Sequence, residues 1–217
     1  TIDIVAVMEH IQEKVPQSKM FAVGFSLGSN VLFKYLGEVG SDTPLCAAIS
    51  VSNPFSLGVA TTRLRDPIAR LVYDKVFTSK RKQLVLRHKH IYEKLEHFNE
   101  ERLKRVNSSR EFDNELTRKI VGTETVDELY EKISCVDGLS KIAIPCFLLN
   151  ALDDPISCQS AIPYVEIQSN PNLLLATTSR GGHVAWVEGW FPFSSSWMEN
   201  TCMQYLNSFL TITEKAE

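Results

Sequence analysis

The 217-residue sequence has no apolar run approaching the roughly 18 residues that a membrane span requires. Its N-terminus lacks the basic-then-apolar pattern of a secretory signal. It has no C-x-x-C pair. The five cysteines, Cys46, Cys135, Cys146, Cys158 and Cys202, are odd in number and widely spaced. That speaks against a disulfide framework and for reduced thiols in an intracellular protein. Cys46 and Cys146 lie in apolar runs and are expected in the core. Charge of one sign is missing too: 23 Lys and Arg stand against 26 Asp and Glu, a net charge of −3. Nothing in that balance suggests a nucleic-acid binder. His88 and His90 have no Cys or carboxylate at ligand spacing, so neither metal nor cofactor is expected. Internal repeats, low-complexity tracts and Gly-, Ser- or Pro-rich linkers are absent as well.

What is present is 44% hydrophobic residues, enough to build one core, in a pattern that alternates between two periods. Residues 2–14 place Ile4, Val7, Met8 and Ile11 at helical spacing, and Pro16 stops that helix. Short apolar runs at 19–24, 45–51, 145–151 and 173–177 read as buried strands. Helical character fills 27–36, 160–168 and a closing amphipathic segment at 194–212 that carries Trp197, Cys202, Leu206 and Phe209. Strands alternating with helices predict an α/β fold with a mostly parallel sheet. Between about residues 57 and 139 no strand is convincing. This charged stretch reads as helices at 63–77, 81–96, 100–106, 111–120 and 126–133, an insertion packed on the sheet.

Gly24-Phe25-Ser26-Leu27-Gly28 stands directly after a predicted strand and directly before a predicted helix. A G-x-S-x-G run there is the sequence of a nucleophile elbow, in which a strained turn lifts the serine hydroxyl above the sheet. Crowding at such a turn demands small residues two before and two after, and Gly24 and Gly28 supply them. Ser29 is small, and Asn30 is placed to support the following turn. The helix beginning at Leu27 aims its positive end at the serine. In this arrangement the acid follows next in the chain and the base comes last. After His97 the sequence has one histidine, His183, in Gly181-Gly182-His183 just past the last predicted strand. Asp153 and Asp154 both follow the 145–151 strand. Asp154 is the expected acid, because acid, one residue, then an aliphatic residue is the usual pattern leaving such a strand; Asp153 is expected to cap the turn. Of the two N–H donors an oxyanion hole needs, Leu27 supplies one; the second is expected upstream of this sequence.

Three blocks, KMFAVGFSLGSNVLFKYLGE, IPCFLLNALDDPIS and NPNLLLATTSRGGHVAWVEGWFP, resemble the YheT-like abhydrolase family, which includes vertebrate abhydrolase-domain proteins and plant embryogenesis-associated hydrolases. The resemblance runs from about Ile4 to Phe209 and is weak through the helical insertion. It implies the C-terminal part of an α/β-hydrolase fold, with a core over 1–56 and 140–217 and a helical cap over about 57–139. It also implies that Ser26, Asp154 and His183 form the triad, and that the substrate is a carboxylic ester of a lipid: a medium-chain acyl ester, a monoacylglycerol or a phospholipid acyl chain. Ser29 stands where the family usually has a second glycine. Many members carry a membrane-anchoring segment in the N-terminal half, so the resemblance implies a cytoplasmic or membrane-associated location.

Further readings stay open at this stage. One is an acyltransferase or ester synthase; another is a truncated, catalytically impaired form that acts by binding. Leu71, Val72, Val76 and Phe77 are candidates to line an acyl pocket, and equally are ordinary helix-packing residues. Lys80, Arg81, Lys82, Arg87 and Lys89 form a basic cluster that suits peripheral contact with an anionic membrane, and equally a solvated helix face. The sequence does not set an oligomeric state.

Overall fold

The computed structural model describes residues 1–189 and 195–214. The chain divides into two compact units. One comprises Thr1–Ser56 and the chain from Ser134 onward; the other is Leu57–Ile133.

The first unit is built on four parallel strands, β1 (Met20–Phe25), β2 (Leu45–Val51), β3 (Cys146–Ala151) and β4 (Leu173–Thr178), paired in that order. The pleat sends alternate side chains to opposite faces, and two separate cores result. Ala48, Cys146 and Leu148 pack on one face with Leu32, Phe33 and Leu36 of α2 (Leu27–Val39). Ile49, Val51, Phe147, Leu149 and Ala151 pack on the other with Met198 and Cys202 of α12 (Trp197–Glu214). Sealing a Leu or Phe this completely is worth about 1.5–3 kcal/mol each. A sheet buried on both faces explains why its strands read as continuous apolar runs. Two short antiparallel strands, β5 (Val187–Glu188) and β6 (Ser195–Ser196), were not foreseen.

Two expectations for this unit need correction, those for Cys46 and for residues 160–168, and the first helix carries its apolar residues differently from a buried helix. Cys46 is exposed. Met20 pairs with Leu45 but Phe21 with Ala47, so Cys46 is the extra residue of a bulge and is turned out of the core. α1 (Ile2–Lys14) has no buried residue; Ile4, Val5 and Met8 lean on the core, while Val7 and Ile11 face outward. The expected helix at 160–168 is split by Pro163 into a 3-10 turn, Gln159–Ala161, and α11 (Tyr164–Gln168). Ser194, the expected start of the closing helix, lies outside the described residues.

The helical unit differs from the sequence reading in where its helices break. α3 (Leu57–Arg63) was not foreseen and ends where a helix was expected to begin; Asp66 caps the new start, its Oδ1 accepting the Ile68 N–H while Pro67 takes the first helical position. From there α4 (Pro67–Ala69), a π turn (Arg70–Asp74) and α5 (Lys75–Arg87) run on without interruption through the break expected before Arg81. His88 ends that helix, and only the single turn α6 (Lys89–Tyr92) follows. After α7 (Glu100–Arg105), the helix expected over 111–120 is another α–π–α run: α8 (Ser109–Phe112), Asp113–Thr117 and α9 (Arg118–Val121). Ser108 caps its start, and Gly122, left-handed, closes it. α10 (Val126–Ile133) stands where the sequence put it. A search for 3.6-residue periodicity breaks the first long run in the wrong place because it contains a π turn, whereas the helix expected over 111–120 falls inside the second.

A buried carboxylate ties these helices together. Asp113 accepts from Arg81 Nη2, from Thr117 Oγ1 at 2.8 Å and from Tyr130 Oη at 2.9 Å. The Arg81 guanidinium also lies 4.0 Å over the Phe112 ring. Burial, reinforced by the Asp113 charge, pushes the Tyr130 hydroxyl well above its ordinary range, so it stays a donor.

Candidate active site

All the site residues singled out in the sequence lie in the sheet unit, at the carboxyl ends of its strands. Ser26 follows β1 and caps α2, with φ 50° and ψ −124°. A non-glycine residue held there costs on the order of 1–3 kcal/mol. The neighbouring strand holds it: the Ser26 N–H donates to the Val51 carbonyl at 2.9 Å. Gly24 is required, because a Cβ at that position would sit 2.5 Å from the Cα of Ser29. Gly28 is not crowded; a Cβ there meets nothing within 4 Å among the described residues. Ser29 turns its hydroxyl back to the Ser26 carbonyl. Asn30 reaches further than expected, donating to the Phe55 carbonyl at 3.0 Å.

Asp154 leaves β3 in a tight turn. Its Oδ1 accepts the N–H groups of Ile156 at 2.8 Å and Ser157 at 2.9 Å. Its side chain is fully buried, and what remains of its acceptor capacity faces His183. The His183 Nδ1–H donates to Asp154 Oδ2 at 2.9 Å and approaches Oδ1 at 3.1 Å. With the proton held on Nδ1, Nε2 accepts from the Ser26 hydroxyl at 2.8 Å. Three side chains separated by up to 157 positions in sequence thus form one unbroken hydrogen-bonded line. The Asp154 carboxylate is fully buried, whereas 18% of the imidazole side chain is exposed and Ser26 is half-buried.

The loop carrying His183 is held at several points that the sequence reading missed. Asp153 does more than cap its own turn: its Oδ1 accepts the Gly182 N–H at 2.8 Å, so the two adjacent aspartates grip backbone and imidazole of the same loop. Gly182 has φ +56°, and a Cβ on Gly181 would run into the indole of Trp186. Val184 also sits at positive φ, 59°, and donates its N–H to Ser52 Oγ at 3.2 Å. Ser52, itself at φ 50° and buried, offers its carbonyl to the Ser157 hydroxyl at 2.6 Å. The signals for these partners were faint: a doubled Asp, and a Ser at the carboxyl end of an apolar run.

Three of the five cysteines are held as thiols by burial. Burial pushes the thiols of Cys135 and Cys146 up to about 12 and that of Cys202 up to about 11, so they stay protonated at neutral pH. Among the described residues no group of three or more His, Cys, Asp or Glu side chains could hold a metal ion. A cavity of about 620 Å³ within the helical unit is lined by arginines and carboxylates alike, including Arg65, Arg70, Glu124 and Asp127, and holds none of the three aligned residues.

No family model matches the sequence. Among curated proteins, the chain is 34% identical over 209 residues to the embryogenesis-associated protein EMB8 of Picea glauca, covering 95% of this chain and 46% of that one. It is 31% identical over 210 residues to the phospholipase ABHD3 of Homo sapiens, covering 97% and 51%. It is 33% identical over 215 residues to the monoacylglycerol lipase of Saccharomyces cerevisiae, covering 96% and 47%. The chain therefore spans about half the length of the curated relatives it matches. Among solved structures, an esterase of Pyrococcus furiosus aligns with a TM-score of 0.50 at 18% identity, over 84% of this chain and 53% of that one, a likeness of fold. With the parallel sheet, the elbow at its first strand and relatives above 30% identity along nearly the whole sequence, this chain belongs to the abhydrolase family of α/β-hydrolases.

Proposed function

We propose that this chain carries the reacting groups of a serine hydrolase that cleaves carboxylic esters of lipids through an acyl-enzyme. The observation that carries the reading is the Ser26–His183–Asp154 line, with each donor facing an acceptor of the right kind. Relatives named as a phospholipase and a monoacylglycerol lipase give the substrate class.

The chemistry follows from the geometry. His183 Nε2, 2.8 Å from the hydroxyl, removes the Ser26 proton as Oγ attacks the ester carbonyl. The imidazolium that forms is stabilised by Asp154, which stays ionised and keeps the ring in its productive orientation. The Leu27 N–H opens α2 and has no acceptor within the helix, so it is free to bind the developing oxyanion. His183 then passes its proton to the leaving alcohol and activates water to release the acid. The helical unit, inserted in the sequence between β2 and β3, is proposed to act as the cap that selects the acyl chain.

The test is covalent labelling with a fluorophosphonate probe, followed by mapping of the adduct. A single adduct on Ser26, lost in Ser26→Ala together with at least about 10⁴-fold of ester turnover, is the expected outcome. Undiminished labelling of Ser26→Ala, or an adduct elsewhere, refutes the assignment.

A further inference from the structure

Residues 67–87 form one uninterrupted helix in which the π turn resets the face: Ala69 and Asp74, five residues apart, are both buried. The opposite face is reset in the same way, and it is apolar. Ile68 is 74% exposed, Leu71 63%, Val72 51%, Val76 51% and Leu84 54%. Single exposed aliphatic residues are unremarkable in any protein. Four of these five crowd residues 68–76, about 12 Å of the helix axis, with Leu84 two turns beyond, and a cluster of this kind marks an interaction surface. The residues that were candidates for an acyl pocket or for helix packing, Leu71, Val72, Val76 and Phe77, are all exposed.

The charge beside this patch has one sign. Within 67–87 the sequence has six cations and one acid, Asp74, which is buried and accepts the Ser109 N–H. Two of the cations are used internally: Arg81 pairs with Asp113, and Lys82 donates to the carbonyls of Lys104 and Val106. Arg70, Lys75, Lys80 and Arg87 form no ion pair among the described residues. The expected basic cluster is thus divided, with Lys89 bound to Glu93 and Glu100, and four unpaired cations remain on the helix that carries the apolar stripe. The chain as a whole is acidic, at −3, so this concentration of positive charge is local.

We propose that the outward face of residues 67–87 seats on an anionic lipid bilayer, with Ile68, Leu71, Val72, Val76 and Leu84 in the headgroup–acyl boundary and Lys75, Lys80 and Arg87 on acidic headgroups; Arg70 instead lines the cavity of the helical unit. Aliphatic side chains with neighbouring lysine and arginine are the composition that lies in a bilayer interface. A nucleic acid would leave the aliphatic stripe unsatisfied. Among the described residues no helix is long and apolar enough to cross a membrane, so this surface lies on the bilayer.

The experiment is co-sedimentation of the full chain with vesicles of phosphatidylcholine, with and without phosphatidylserine. The wild type is expected to partition onto the serine-lipid vesicles and to be released by salt. Lys75→Glu with Lys80→Glu is expected to weaken that partition by more than about tenfold. Leu71→Ser with Val76→Ser is expected to weaken it comparably; both positions are exposed, so neither pair threatens the fold. Failure of the wild type to partition overturns the proposal. So does retention by the Leu71→Ser, Val76→Ser variant, which would mean adsorption by charge alone, or loss of a dimer in that variant, which would mean that a second copy covers the face. Ser26→Ala is expected to partition like the wild type, which separates this proposal from the reading of the ester site.

Discussion

The two units spend their buried polar groups differently. In the helical unit Asp113 gathers Arg81, Thr117 and Tyr130, and Asp74 holds Ser109; these bonds fasten helix to helix. In the sheet unit the buried polar groups fasten loops. Buried Asp154, Ser52 and Ser157, with the exposed Asp153, bring the turns after β2, β3 and β4 to one place, and the strained backbone collects there, at Ser26, Ser52, Phe55, Gly182 and Val184. A carboxylate surrounded by donors from helices is scaffolding. A carboxylate that leaves an imidazole facing a hydroxyl is arranged for proton transfer. The difference lies in what each network positions, since both aspartates are equally buried.

That contrast is tested most severely at the two aspartates. Asp154→Asn keeps the shape of the turn but lets the side chain donate where it must accept, favouring the wrong imidazole tautomer. Ester turnover is expected to fall by about 10⁴-fold while the melting temperature changes little. If turnover survives, the line from Ser26 to Asp154 is not a catalytic one. Asp113→Ala should do the reverse. It leaves Arg81 without its partner and removes the acceptor of Tyr130, at a cost near 3 kcal/mol, discounted from a fully buried pair because Arg81 is about one-third exposed. Hydrogen exchange is expected to show loss of protection over residues 109–121 with β2 and β3 unaffected. Equal loss in the strands would mean that the two units do not open independently.

The same contrast explains what the sequence made legible. The strands were readable because a sheet covered on both faces needs unbroken apolar runs, and all four fall within one or two residues of the predicted bounds. The elbow was readable because Gly24 leaves a signature that its crowding against Ser29 demands. His183 and Asp154 were singled out by chain order and by the glycines that turn the loop after β4, and the fold brings both into line with Ser26. Helix breaks in the insertion were not, because a π turn has no residue signature while it shifts every later position by one. Cys46 was misplaced because a single bulge residue is invisible in an apolar run. Ser52 and Ser157 escaped notice for another reason. A small hydroxyl residue after a strand is compatible with any turn, and only the fold reveals that its partners lie 132 and 105 positions away.

Ser52 offers the finest division between scaffolding and function. Its side chain touches no reacting atom. It accepts the N–H of Val184, the residue after the base, while its carbonyl takes the hydroxyl of Ser157, whose own N–H supports Asp154. Ser52→Ala removes the acceptor without changing the backbone requirement, since Ala and Ser tolerate a φ of 50° equally poorly. The Val184 N–H then loses its partner, a loss of about 1–3 kcal/mol that the loop relieves by moving. Motion of the loop carries His183 away from its 2.8 Å approach to Ser26, and a general base displaced by a fraction of an ångström loses about tenfold in rate. The expected signature is a roughly tenfold fall in kcat with KM unchanged, because the displaced group abstracts a proton and does not hold the substrate. A fall in thermal stability with kcat intact would move Ser52 into the class of Asp113, as a fastener of loops with no part in aiming the base.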